Sequence, residues 1–164
     1  MPGWAPPPPP ASRRNASPRQ GVELLEVHWD ETAGVVFVSH PQGLLLQTSQ
    51  EVDQWGLEVF AKLGVIEAER GGRFPIVVSL DGVAIRPSVA AQYGSIVRSY
   101  AERFASGLAR YSLRPNGVGQ IVAVAAMKEG FRANLFTTRS EAVAHALAMA
   151  ADPEGALSKP RSSR

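Results

Sequence analysis

No cysteine occurs anywhere in the 164 residues. That excludes thiol nucleophiles, disulfide staples and thiolate zinc sites, and it suits a reducing compartment. Histidine is nearly as scarce: His28, His40 and His145 are the three present, and no short ligand spacing relates them. Each reads as a surface or locally satisfied ring rather than a general base or metal ligand. No GxSxG elbow and no Walker loop occurs, so Gly71, Gly72 and Gly82 read as turn glycines. No apolar run approaches the roughly 20 residues that span a bilayer. The opening MPGWAPPPPP lacks the basic-then-apolar order of a secretory leader. These absences predict a cytoplasmic protein with no membrane span, cofactor, metal or catalytic set. The paired acids Glu67 and Glu69, and Asp30 and Glu31, read as a solvated helix end and a turn.

Basic charge is also scarcer in the folded part than the pI near 9.3 suggests. Six of the seventeen basic residues and two of the fifteen acidic ones lie within residues 1–20 and 152–164, which leaves eleven basic and thirteen acidic residues between. A slightly acidic body does not present a nucleic-acid-binding face. Residues 1–20 hold seven of the thirteen prolines, including the run Pro6 to Pro10, and little periodic hydrophobicity. They predict a disordered Pro-rich tail with a polyproline II stretch, and residues 152–164 predict a disordered basic tail. One domain, residues 21–151, remains, and 45% hydrophobic composition supplies its core.

Within that domain strands alternate with helices. GVELLEVHWD and GVVFVS read as a hairpin across the turn DETAG, and Gly43 to Leu46 as a short extended piece. TSQE from Thr48 is a capping box in which Thr48 and Glu51 would satisfy each other's backbone donors, and it opens a helix with Val52, Trp55, Val59, Leu63 and Ile66 on one stripe. That helix stops at Gly71 and Gly72. FPIVVSL reads as a buried parallel strand. Val89, Tyr93, Ile96 or Val97, Tyr100 and Phe104 predict a second amphipathic helix closed near Gly107. LARYSL stays open between a hairpin partner and a lead-in, PNG at Pro115 to Gly117 reads as a turn, and VGQIVAVAAM as a continuous apolar strand. ANLFTT gives a last short strand, and TRSE from Thr138 caps the closing helix EAVAHALAMA. The expected class is α/β, a single-layer mixed sheet packed by helices. Gly56, Gly64 and Gly94, inside helical patterns, mark candidate close approaches.

The stretch SLDGVAIRPSVAAQYG, from Ser79 to Gly94, joins the buried strand to the second helix. With the order of elements it resembles the STAS domain of sulphate transporters and anti-sigma-factor antagonists. Leu80, Asp81, Gly82 and Val83 match the DLSG-like part, Ile85 the apolar residue that follows, and Ser88 the phosphorylatable serine at the helix start. LFTTRSEAVAHAL resembles the closing strand and helix. Arg86 and Pro87 stand where the family keeps an aspartate and a serine. KEGFRA is too short for the helix that the resemblance implies between the last two strands.

The resemblance implies a non-enzymatic, STAS-like protein-binding module of a bacterial regulatory pathway, a degenerate anti-sigma factor antagonist whose partner is a serine kinase anti-sigma factor. It makes Ser88 a candidate phosphorylation site, and Asp81, Gly82, Arg86, Ser88 and Tyr93 candidate partner- or anion-binding residues. From charge alone, Arg86 beside a helix N-terminus would hold a phosphate rather than repel it. The plainest reading of Ser88 is an N-cap. The alternative function is a carrier that holds an apolar small molecule or lipid between sheet and helices, with Trp55, Phe60, Tyr93 and Tyr100 as lining.

Overall fold

The computed structural model describes Gly3 and residues 24–114, 117–130 and 132–152. Most of the described chain wraps around one five-stranded mixed sheet. β1 (Glu26–Asp30) and β2 (Val35–Ser39) form the expected hairpin. Its turn is closed by Asp30 Oδ1, which accepts from the Ala33 N–H at 2.8 Å. β4 (Phe74–Ser79), β6 (Ala105–Tyr111) and β7 (Leu135–Phe136) follow in parallel, in the order β1-β2-β4-β6-β7. A separate two-stranded parallel ribbon joins β3 (Leu44–Leu46) to β5 (Val83–Ile85).

Helix α1 (Ser49–Arg70) starts where Thr48 accepts from the Glu51 N–H at 3.2 Å. The reciprocal half of the box differs from expectation: Glu51 Oε2 accepts from the N–H of Gln47, at 2.8 Å, rather than from that of Thr48. α4 (Arg139–Ala151) repeats this, with Thr138 accepting from Glu141 at 3.2 Å.

Two expectations are overturned. VGQIVAVAAM is not a strand; α3 (Val118–Lys128) is a helix. Val118, Val122, Ala125 and Ala126 are buried at helical spacing while Val124 is 51% exposed, a one-sided pattern that an extended chain would break. Three alanines also favour the helix. Gly107 does not close α2 (Ala90–Phe104), which passes directly into β6. LARYSL is thereby mostly β6, a strand hydrogen-bonded on both sides, and neither a hairpin partner nor a lead-in. Of the PNG turn, Pro115 and Asn116 lie outside the described residues, as do both predicted tails apart from Gly3 and Asp152.

The sheet separates two cores. α1 and α2 cover one face, burying Trp55, Leu63, Tyr93, Tyr100 and Phe104 against Val36, Val38, Ile76 and Val78. α3 packs beside α2, where a Cβ on Gly94 would sit 3.1 Å from that of Ala125. Among the described elements α4 alone covers the other face, with Ala142 and Ala146 against Phe37, Val77 and Ala109. No described helix is long and apolar enough to cross a membrane.

Candidate functional site

The candidate site lies past the carboxyl end of β4, one of the two inner parallel strands, at the edge of the sheet where open α/β proteins gather ligands. Asp81 and Gly82 make the turn, β5 follows, and Pro87–Val89 forms a 3-10 turn that leads into α2. Asp81 is engaged internally. Its Oδ1 accepts from the N–H groups of Leu113 at 3.0 Å and Arg114 at 3.2 Å and from the Ser112 hydroxyl at 3.2 Å, which pins the segment after β6. Gly82 has φ +75 and Gly43 φ +74; each faces the other, and the Gly82 carbonyl accepts from Leu44 N–H at 2.8 Å. A side chain on Gly82 would reach the Gly43 backbone at 3.3 Å, so this glycine is a crossing point of two chains.

Beyond the crossing the ribbon has two faces. Leu44, Leu46, Val83 and Ile85 are buried, while the register partners Leu45 and Ala84 face outward, Leu45 being 55% exposed. Arg86 and Ser88 are exposed too, and among the described residues the Arg86 side chain has no acidic partner. Ser88 is not an N-cap. It lies inside the 3-10 turn, the caps of that turn and of α2 are Arg86 and Val89, and neither start carries a side-chain capping bond. Pro87 at the first position of the turn suits its fixed φ and its missing donor.

Tyr93 does not belong to that surface. It is 3% exposed and stacks on Trp55, centroids 5.0 Å apart. Trp55 meets Tyr100 edge-on at 6.5 Å, and Phe60 meets Phe104 at 5.6 Å. The four rings proposed as a ligand lining thus spend contact area on one another and on Phe104.

Two polar side chains are buried without a clear signal of it in the sequence. His40, 5% exposed, accepts from the Trp55 indole N–H at 3.3 Å through Nε2, and its Nδ1 has no partner with normal hydrogen-bond geometry. Burial lowers its pKa from 6.5 to about 4, with the Ser79 backbone opposing weakly. Arg110, 2% exposed, donates to the Ala133 carbonyl at 2.6 Å and faces the Tyr93 hydroxyl. Burial raises the Tyr93 and Tyr100 phenols above their ordinary range against the pull of Arg110. The only sequence signal for Arg110 was its alternation with Leu108 along LARY, which places both on one side of a strand. His28 and His145 instead lie against Phe37 and Phe136, with centroids 5.8 and 5.0 Å apart.

The three histidines are thus held by separate ring contacts. Among the described residues no three His, Asp or Glu side chains gather to hold a metal ion. No family model, curated protein or solved structure matches the chain.

Proposed function

We propose that this chain is a non-enzymatic STAS-like module that binds a protein partner in a bacterial regulatory pathway, as a degenerate anti-sigma factor antagonist. The partner is a serine kinase of the anti-sigma type. The observation that carries the reading is the exposed Ser88, whose hydroxyl makes no capping bond, on a turn beside Arg86, which has no acidic partner among the described residues, and the outward-facing Leu45 and Ala84. Helix α3 adds support, because it supplies the helix between the last two strands for which the segment KEGFRA alone was too short.

The contact surface is narrower than the sequence suggested. Arg86, Ser88, Leu45 and Ala84 meet the partner, Asp81 and Gly82 hold the scaffold, and Tyr93 supports from beneath. A phosphate on Ser88 adds about 1.5 to 2 negative charges at neutral pH. Arg86 lies two residues away, and among the described residues its guanidinium has no acidic partner, so the phosphate would draw the guanidinium away from a partner.

Incubation with candidate kinases of that type tests the reading. The expected result is capture of the protein and a mass gain of one phosphate that Ser88→Ala abolishes. Neither capture nor phosphate across the kinases overturns it.

A further inference from the structure

Arg110 carries a charge into the core that no described group balances. It is the penultimate residue of β6, in register with Val78 of β4 and Leu135 of β7, and its guanidinium faces Tyr93 of α2. The residue is 2% exposed and is the one arginine, lysine, aspartate or glutamate among the described buried residues. Among the described residues no carboxylate pairs with it. Nη1 donates to the Ala133 carbonyl at 2.6 Å, while Nε is buried and meets no acceptor. A lone buried charge is costly, and buried charges are as a rule paired. His40, the other buried side chain with an unpartnered ring nitrogen, is held neutral by its burial and calls for no counter-ion.

The surroundings of Arg110 are rich in donors and poor in acceptors. A guanidinium offers five N–H donors and no acceptor. The Ala133 carbonyl answers one of them, and the Tyr93 oxygen faces the same group. Tyr100, two turns further along α2, lies within electrostatic reach of both. Burial keeps the two phenols protonated through the neutral range, so each retains a proton to donate. We propose that Arg110 and the Tyr93 hydroxyl bind the carboxylate of a small organic acid, enclosed between β6 and α2. The Nε edge of a guanidinium takes a carboxylate through two parallel N–H···O bonds, and the tyrosine hydroxyl adds a further donor. One buried cation balances a monoanion, whereas a phosphate would bring an excess of negative charge. The acid is short, because Trp55 already packs against both Tyr93 and Tyr100. The carboxyl ends of parallel strands are where open α/β sheets hold ligands. This site is separate from the Ser88 surface and does not depend on the partner proposed for it.

The test uses the full chain with isotope-labelled arginine, the Arg110 Nε–H signal being assigned by its loss in Arg110→Met. Sodium acetate is titrated, with sodium chloride at the same ionic strength, sodium phosphate and neutral acetamide as controls. The expected result is a saturable shift of the Arg110 Nε–H with acetate and not with acetamide. The midpoint of thermal unfolding should rise with acetate concentration, because a ligand enclosed by the fold stabilises it by mass action. Tyr93→Phe should weaken the binding about tenfold, as expected for one hydrogen bond to a charged group. Arg110→Met should lose the thermal response. Where that variant fails to fold, Arg110→Lys replaces it, since it keeps the charge and loses the fork. No saturable shift with acetate, an equal shift with acetamide, or unchanged binding in Tyr93→Phe overturns the proposal. A thermal response that survives loss of the guanidinium overturns it too. Saturation by phosphate or chloride and not by acetate overturns the assignment to a carboxylate.

Discussion

The two faces of the sheet are packed by opposite means. Under α1 and α2 the space is filled by large rings, with Trp55 between Tyr93 and Tyr100 and Phe104 between Phe60 and Phe74. Buried polar groups, His40 and Arg110, are carried inside it. Under α4 the space is nearly removed: Ala142, Ala146 and Ala109 let the helix approach until Gly107 lies directly against the Ala146 carbonyl. Bulk tolerates a polar guest provided that it is bonded, because neighbouring rings supply donors and acceptors. Close backbone approach tolerates nothing larger than hydrogen. The first face should therefore fail by losing volume and the second by gaining it.

The largest expected effect is on the ring-filled face. Trp55→Ala removes the ring that joins Tyr93, Tyr100 and His40, and it should cost about 4 kcal/mol of unfolding free energy, measured by urea denaturation. A loss below about 1 kcal/mol would mean that the rings close the gap, and the contrast between the faces would weaken.

The same face carries a pH signature. His40 titrates near 6.5 when unfolded and near 4 when folded. Between those values the unfolded chain binds the proton and the folded chain does not. Its contribution is therefore present in full above about pH 6.5 and is lost as the pH falls toward 4, by on the order of 3 kcal/mol. His40→Gln should flatten that part of the profile of stability against pH. Parallel profiles for the two proteins would show that His40 is not held neutral by burial.

On the other face a gain of one methyl should suffice. Gly107→Ala drives a Cβ into the Ala146 carbonyl and to 3.1 Å from the Met149 Cβ, and it should cost about 2 kcal/mol. Gly56→Ala is the control: the atom it meets, 2.9 Å away, is the end of the flexible Ile96 side chain, which can turn aside. Equal losses at the two glycines would remove the distinction between a rigid and a yielding neighbour.

This asymmetry also explains what the sequence could be read for. The stripe Val52, Trp55, Val59, Leu63 and Ile66 and the threonine caps at 48 and 138 are local signals, and each corresponds to an observed element. The run VGQIVAVAAM misled because a helix rich in Val and Ala and a buried strand share the same apolar composition over ten residues. The alanines lean toward a helix, but what separates the two is the exposure of Gln120 and Val124, and that is a tertiary fact. Gly107 read as a helix stop because its reason for being glycine, the Ala146 carbonyl, lies 39 residues away in the chain. At the candidate site the position of Ser88 was legible but its capping role was not, since Pro87 initiates a 3-10 turn one step earlier. Tyr93 was legible as part of the apolar stripe of α2 and was set at the junction surface only by the resemblance; its stacking on Trp55, from another helix, buries it.

The smallest effect concerns how the two helices of the ring-filled face begin. α1 starts with a threonine that accepts from Glu51 at 3.2 Å, and α2 starts through a proline turn with no side-chain capping bond. Thr48→Ala should therefore cost about 1 kcal/mol, while Ser88→Ala, exposed and outside any cap, should stay within about 0.5 kcal/mol. A loss at Ser88 equal to that at Thr48 would return the serine to a structural role and leave its free hydroxyl without the meaning proposed for it. A near-zero loss has the opposite consequence: any loss of partner capture in Ser88→Ala can then be charged to the surface, because the fold beneath it has not changed.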